Sequence, residues 1–137
     1  MFKKADILLV DDEKEFVEAL ANGLKGTGYD VTTALDGTEA LEVVRKKAPD
    51  LILLDLALPA LSGYEVLKTL RADVRFEKIP ILVITAKTDL HDLTLTVDCG
   101  ADSTYVKPLK FDTLLTLIQT LLLKKGKDGE VGNDENH

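Results

Sequence analysis

The sequence predicts an α/β domain in which five short strands form one parallel, doubly wound sheet with helices on both faces. Two observations carry this. Short apolar runs rich in β-formers alternate five times with stretches whose apolar residues recur at helical period. The links between them are short, and units of this kind fold as right-handed β-α crossovers whose helices bury the sheet on both sides.

The elements are read in chain order. ILLV at 7–10 reads as a buried strand, and residues 13–26 as a helix with Phe16, Ala19, Leu20, Gly23 and Leu24 on one face. DVTTA at 30–34 is the second strand, followed by a helix over 38–47 built on Ala40, Leu41 and Val44. LILL at 51–54 is the third strand, and Gly63, Val66, Leu67 and Leu70 mark the next helix. IPILVI at 79–84 is a fourth strand entered through Pro80, with a weaker helix over 89–98 on Leu90, Leu93 and Val97. STYV at 103–106 is the fifth strand, and Phe111, Leu114, Leu115, Ile118 and Leu122 place the last helix at 111–123. Beyond it KKGKDGEVGNDENH is polar and glycine-rich, which predicts a disordered tail or linker start at 125–137 after a domain spanning 1–124.

At 137 residues the chain can bury a real core as one domain. Its formal charge of −7 argues against a nucleic-acid surface and against an anionic membrane patch. Cys99 is the single cysteine, so neither an internal disulfide nor a cysteine metal cluster is expected, and a reducing cytoplasm is the simpler setting. The apolar stretch after Lys3 and Lys4 is only Ile7 to Val10, too short for a signal peptide. Nothing reaches the roughly 20 apolar residues of a membrane span.

In a parallel sheet the C-terminal ends of the strands gather along one edge, where ligands bind. The residues just after each apolar run are therefore informative. The first run ends in Asp11-Asp12, the third in Asp55, the fourth in Thr85-Ala86 and the fifth in Lys107-Pro108. Singly, each has an ordinary explanation: Asp11 or Asp12 as a helix cap with Glu15, Asp55 as a solvated turn residue, Thr85 as a strand residue, Lys107 as a solvated charge. Together they make a set. Clustered carboxylates repel, and a divalent cation relieves that repulsion, with oxygen ligands suiting Mg²⁺. An Asp oxygen can attack a phosphoryl group to form an acyl phosphate. A lysine and a hydroxyl can stabilise the charge on the transferring oxygens.

These residues, in this order, resemble the receiver domain of two-component response regulators, over residues 6 to about 123. VDDE at 10–13 is similar to the family's acidic pair, and ALDG at 34–37 to its turn after strand two. DLALPALSG at 55–63 is similar to the phosphoacceptor segment, VITA at 83–86 to the Thr/Ser-Ala ending strand four, and YVKP at 105–108 to a switch aromatic followed by Lys-Pro. The resemblance implies a flavodoxin-like strand order, 2-1-3-4-5. It implies that Asp55 accepts a phosphoryl group from a histidine kinase or histidine phosphotransfer protein. Mg²⁺ would be held by Asp11, Asp12, Asp55 and the backbone carbonyl of Ala57. Lys107 would contact the phosphoryl group, with a cis bond before Pro108. Thr85 would bond a phosphoryl oxygen after modification, and Tyr105 would change exposure with it. Such a chain is a signalling switch that assists its own phosphoryl transfer and dephosphorylation, not a metabolic enzyme. Ala57 and Lys87 sit at positions that vary in the family and influence the lifetime of the acyl phosphate.

Other readings fit less well. A phosphate-free interaction module of the same fold has no need of the acids, Thr85 and Lys107 together. A nucleotide or flavin site calls for a Gly/Ser/Thr loop after strand one, where DDEK would repel phosphate. An aspartyl phosphatase calls for a second acid where Ala57 stands. His91 and His137 read as ordinary solvated residues, so a hydrolase triad has no support. No DNA-binding helix pair is expected after the last helix, which leaves output to a downstream protein or a fused domain. Leu114, Leu117, Ile118, Leu121 and Leu122 spread an apolar arc of roughly 160°, a hint that this helix also meets a partner or a second copy as a homodimer.

Overall fold

A computed structural model of the chain describes the backbone of residues 3–86 and 90–134, and the side chains of 3–86 and 93–125. Lys87, His137 and the side chain of His91 lie outside the described residues. The elements run β1 (Asp6–Val10), α1 (Lys14–Gly26), β2 (Asp30–Ala34), α2 (Gly37–Lys46), β3 (Leu51–Leu54), α3 (Gly63–Arg71), β4 (Ile81–Thr85), α4 (Leu90–Asp98), β5 (Ser103–Val106) and α5 (Phe111–Asp134). All strand pairs are parallel, in the order β2-β1-β3-β4-β5, as expected.

Successive strand residues face opposite sides of the sheet, so each strand feeds two core layers. On one side Leu8, Val10, Ile52, Leu54, Ile81 and Val83 pack against α2 and α3 through Ala40, Leu41, Val44, Val66, Leu67 and Leu70. On the other side Ile7, Leu9, Leu51, Leu53, Leu82 and Ile84 pack against Val17, Leu20, Ala21 and Leu24 of α1 and Leu114, Ile118 and Leu121 of α5. Burial on both faces explains the unbroken apolar runs of β1, β3 and β4. The helix starts use local chemistry: Asp36 accepts from the Glu39 amide at 2.8 Å to cap α2, and Ser62 accepts from Glu65 at 3.3 Å to cap α3.

Three elements differ from the sequence reading. The buried stripe of α1 is Val17, Leu20, Ala21 and Leu24, rotated from the predicted face; Ala19 is exposed and Phe16 and Gly23 are half-buried. The Phe111 ring of α5 lies over Gly23, where an added Cβ would meet it at 3.0 Å. At Gly23 that side of α1 meets α5 rather than the sheet. The strand predicted from Ile79 begins at Ile81, because Pro80 has no amide to give; its carbonyl still accepts from Ile52 at 2.9 Å. Finally, α5 continues to Asp134 through Gly126, Gly129 and Gly132, beyond the predicted end at Leu123. Glycine is a poor helix former, so composition alone puts the end too early. The broad apolar arc of α5 serves the domain's own core: Leu114 and Ile118 are fully buried, and Leu117 and Leu122 pack beside them.

Candidate functional site

The strand register builds the site. Val10 of β1 pairs with Leu54 of β3, so the next residues, Asp11 and Asp55, emerge side by side. The ladder extends one residue further: Asp55 N–H donates to Val10 O at 3.0 Å and Asp11 N–H to Ala34 O at 3.2 Å. Thr85 of β4 pairs with Val106 of β5, and Lys107 N–H donates to Thr85 O at 2.8 Å. The four strand ends singled out in the sequence thus meet at one edge.

Within this hollow Asp11 and Asp55 are only 1% and 6% exposed, while Asp12 stands open to solvent. One carboxylate oxygen from each lies within 4.8 Å of the others. The Lys107 ammonium sits 2.9 Å from Asp11 Oδ2, 3.5 Å from Glu13 Oε1 and 3.6 Å from Asp55 Oδ2. Asp55 Oδ1 also accepts from the amide of Ala57 at 3.1 Å. Burial pushes the Asp55 carboxyl above the usual range; the Ala57 amide and Lys107 pull the other way, and the charge of Asp11 adds to the rise. Burial alone would lower the Lys107 ammonium, but its bond to Asp11 and the charges of Asp55, Asp11 and Glu13 outweigh that and raise it. Asp11 does not cap α1. It accepts from the Glu13 amide at 2.9 Å, two residues on, and turns the chain into the helix, whose N-cap is Glu13.

The turn after Asp55 is tight. Gly63 N–H donates to Leu56 O at 3.1 Å, and a Cβ on Gly63 would overlap the carbonyl oxygen of Asp55. Ala60 holds a left-handed φ of 61°. Ala57 is exposed on the lip of the hollow. The Lys107–Pro108 peptide is cis.

The strand register fixes where Tyr105 sits. The β4–β5 register pairs Ile84 with Tyr105 and Val83 with Thr104. Tyr105 therefore shares a face with Ile84 and packs on the α1/α5 core, whereas Thr85, two residues from Val83, points to the opposite face. Thr85 and Tyr105 therefore lie on opposite faces of the sheet. The Tyr105 hydroxyl accepts from the Lys110 amide at 3.0 Å, at the entry to α5. The β5 residues on Thr85's face are Val106, its direct partner, and Thr104, whose buried Oγ1 has no hydrogen-bond partner.

Two residues around Lys107 were not assigned to the site by the sequence reading, which put Phe16 on the apolar face of the first helix and Glu13 at the end of VDDE. Glu13 and Phe16 both touch the Lys107 ammonium, the Phe16 ring centroid lying 4.6 Å away. Their i, i+3 spacing, directly after the acidic pair, was the available signal. The donor set suits a hard divalent cation: Asp11, Asp12 and Asp55 offer carboxylate oxygens, with neither imidazole nor thiolate among them. Among the described residues no helix is long and apolar enough to cross a membrane.

Comparison with known proteins agrees with this geometry. A family model described as the response regulator receiver domain matches residues 7–119. The DNA-binding response regulator MtrA of Mycobacterium tuberculosis is 43% identical over 116 residues, covering 85% of this chain and 50% of MtrA. The alkaline phosphatase synthesis transcriptional regulatory protein PhoP of Bacillus subtilis is 40% identical over 132 residues, covering 94% of this chain and 54% of PhoP. The chain thus spans about half the length of these curated relatives. The crystal structure of a CheY-like receiver domain protein from Methanospirillum hungatei JF-1 superposes with a TM-score of 0.87 at 25% identity, over 92% of this chain and 99% of that one.

Proposed function

The chain belongs to the response regulator receiver domain family, and from that premise we propose that Asp55 is the phosphoacceptor of a two-component signalling switch. The observation that carries the reading is the meeting of Asp11, Asp12 and Asp55 within 4.8 Å, with the Lys107 ammonium against two of them.

The phosphoryl donor is a phosphohistidine on a histidine kinase or a histidine phosphotransfer protein. An Asp55 carboxylate oxygen attacks phosphorus, an O–P bond forms, the N–P bond breaks, and the imidazole of the donor leaves. Asp11, Asp12, Asp55 and the Ala57 carbonyl hold Mg²⁺, which when bound neutralises carboxylates and phosphoryl oxygens and so lowers the charge barrier to their approach. Lys107 supplies a further positive charge, already aimed between Asp11 and Asp55. Thr85, fully buried at the end of β4, donates its hydroxyl to a phosphoryl oxygen. Tyr105 responds through the Lys107–Lys110 turn that its hydroxyl holds rather than through contact with Thr85. Hydrolysis of the acyl phosphate at the open side of the hollow resets the switch.

Output passes to a downstream protein or a fused output domain that reads the β5 and flanking-helix surface. The net charge of −7 does not favour nucleic-acid binding by this domain itself. Incubation with a small acyl-phosphate donor and Mg²⁺, followed by intact mass, tests the reading. One added phosphoryl group is expected, absent in Asp55→Asn and absent with chelator. An unchanged mass under donor excess favours a phosphate-free interaction module instead.

A further inference from the structure

Phe16 stands apart from the packing of its own helix. The stripe of α1 that enters the core is Val17, Leu20, Ala21 and Leu24, whereas Phe16 is half-buried and turned towards the hollow. Its ring centroid lies 4.6 Å from the Lys107 ammonium. It also lines an apolar groove of about 240 Å³ with Ala19, Leu20, Leu109 and Phe111, so core packing does not enclose the ring on all sides. Glu13, three residues earlier and therefore on the same helix face, touches the same ammonium at 3.5 Å.

We propose that Phe16 is a positioning residue for the phosphoryl transfer, its ring face holding the Lys107 ammonium beside Asp55 together with Glu13. This rests on the function proposed above. Lysine is a point charge on a flexible stem, and three carboxylates lie against this one: Asp11, Glu13 and Asp55. An aromatic face attracts the cation without adding a full negative charge that would repel the incoming phosphoryl group. It is also non-directional, so the ammonium can turn towards a phosphoryl oxygen without breaking a hydrogen bond to the ring. Another acid at position 16 would hold the lysine more tightly and oppose the donor.

The test compares Phe16→Leu and Phe16→Tyr with the unaltered chain, and uses Phe111→Leu, which lines the same groove away from Lys107, as a packing control. In metal-free protein the Lys107 ε-methylene protons are expected to show an upfield ring-current displacement in NMR spectra, kept in Phe16→Tyr and lost in Phe16→Leu. With saturating small acyl-phosphate donor and Mg²⁺, Phe16→Leu is expected to phosphorylate about two- to ten-fold more slowly, the scale of one cation–π contact. Phe16→Tyr should restore the rate and Phe111→Leu should leave it unchanged. The proposal is overturned if Lys107 shows no upfield displacement, if Phe16→Leu is labelled at the unaltered rate, or if Phe16→Tyr or Phe111→Leu is slowed as much as Phe16→Leu. Absence of label on the unaltered chain overturns the functional reading itself, a result distinct from labelling at equal rates across the variants.

Discussion

Lys107 and Asp11 are 96 residues apart in the chain, yet their ammonium and carboxylate are joined at 2.9 Å. This pair decides the electrostatics of the strand ends. Asp11 is almost wholly buried, and a carboxylate in that position is tolerable only with a cation beside it. One lysine cannot neutralise three aspartates, and its second contact, to Asp55, is longer at 3.6 Å. The hollow is left short of positive charge, the condition in which a divalent cation binds.

Removing that lysine should therefore have two opposed effects. Lys107→Met leaves Asp11 buried and unpaired, and is expected to destabilise the metal-free domain by about 2–3 kcal/mol, near the low end for a broken buried pair because the rim is wet. Added Mg²⁺ should then raise the melting temperature of the variant more than that of the unaltered chain, since the cation no longer competes with an ammonium. Thermal melts across a Mg²⁺ series check this; equal shifts in both proteins would count against a shared site.

Asp55→Asn should stabilise the metal-free domain at neutral pH. Burial raises the folded-state pKa of Asp55 above its unfolded value, so folding disfavours the charged form. Stability is lost as pH rises from the unfolded to the folded pKa, and the loss is complete above both. The advantage of the amide should accordingly shrink as pH falls through that window. Denaturant melts at several pH values measure it, and a pH-independent difference would refute the assignment.

Thr104→Val removes a buried hydroxyl that has no partner and replaces it with a methyl of the same shape. An unsatisfied buried polar group costs about 1–3 kcal/mol, and valine suits a strand as well as threonine does. The substitution is expected to stabilise by about 1 kcal/mol, or roughly 3–6 °C in melting temperature. A fall in melting temperature would show that the hydroxyl is satisfied in solution.

Gly63→Ala should be among the most damaging single changes in the chain. The added Cβ has nowhere to go but into the carbonyl oxygen of Asp55 and the Leu56 backbone. A clash with backbone is relieved only by moving the turn, which costs about 3 kcal/mol or more and displaces the Asp55 carboxylate. Loss of stability together with slowed phosphoryl uptake is expected. Preserved uptake would mean that the turn yields without moving Asp55.

Much of this protein was legible along the chain. Apolar runs and helical periods are local signals, and they placed nearly every element within a few residues. Parallel strands share one direction, so residues at the ends of the runs must gather at one edge; that is why Asp11, Asp12, Asp55, Thr85 and Lys107 could be grouped before any coordinates. The face of β5 was a different matter. STYV is four residues without a clear apolar alternation, and a shift of one residue reverses every side chain. Only pairing with β4 sent Tyr105 towards α1 and α5 and left Thr104 on the face of Thr85.

The same reason governs what else the tertiary structure decided. The core stripe of α1 is Val17, Leu20, Ala21 and Leu24 while Phe111 of α5 meets the helix at Gly23, and α5 runs on through three glycines. The contact of Phe16 with Lys107 joins side chains from opposite ends of the domain. Periodicity records which residues prefer burial, but not which neighbour buries them. That choice is made by elements distant in sequence, when the sheet closes its register and the helices dock on it.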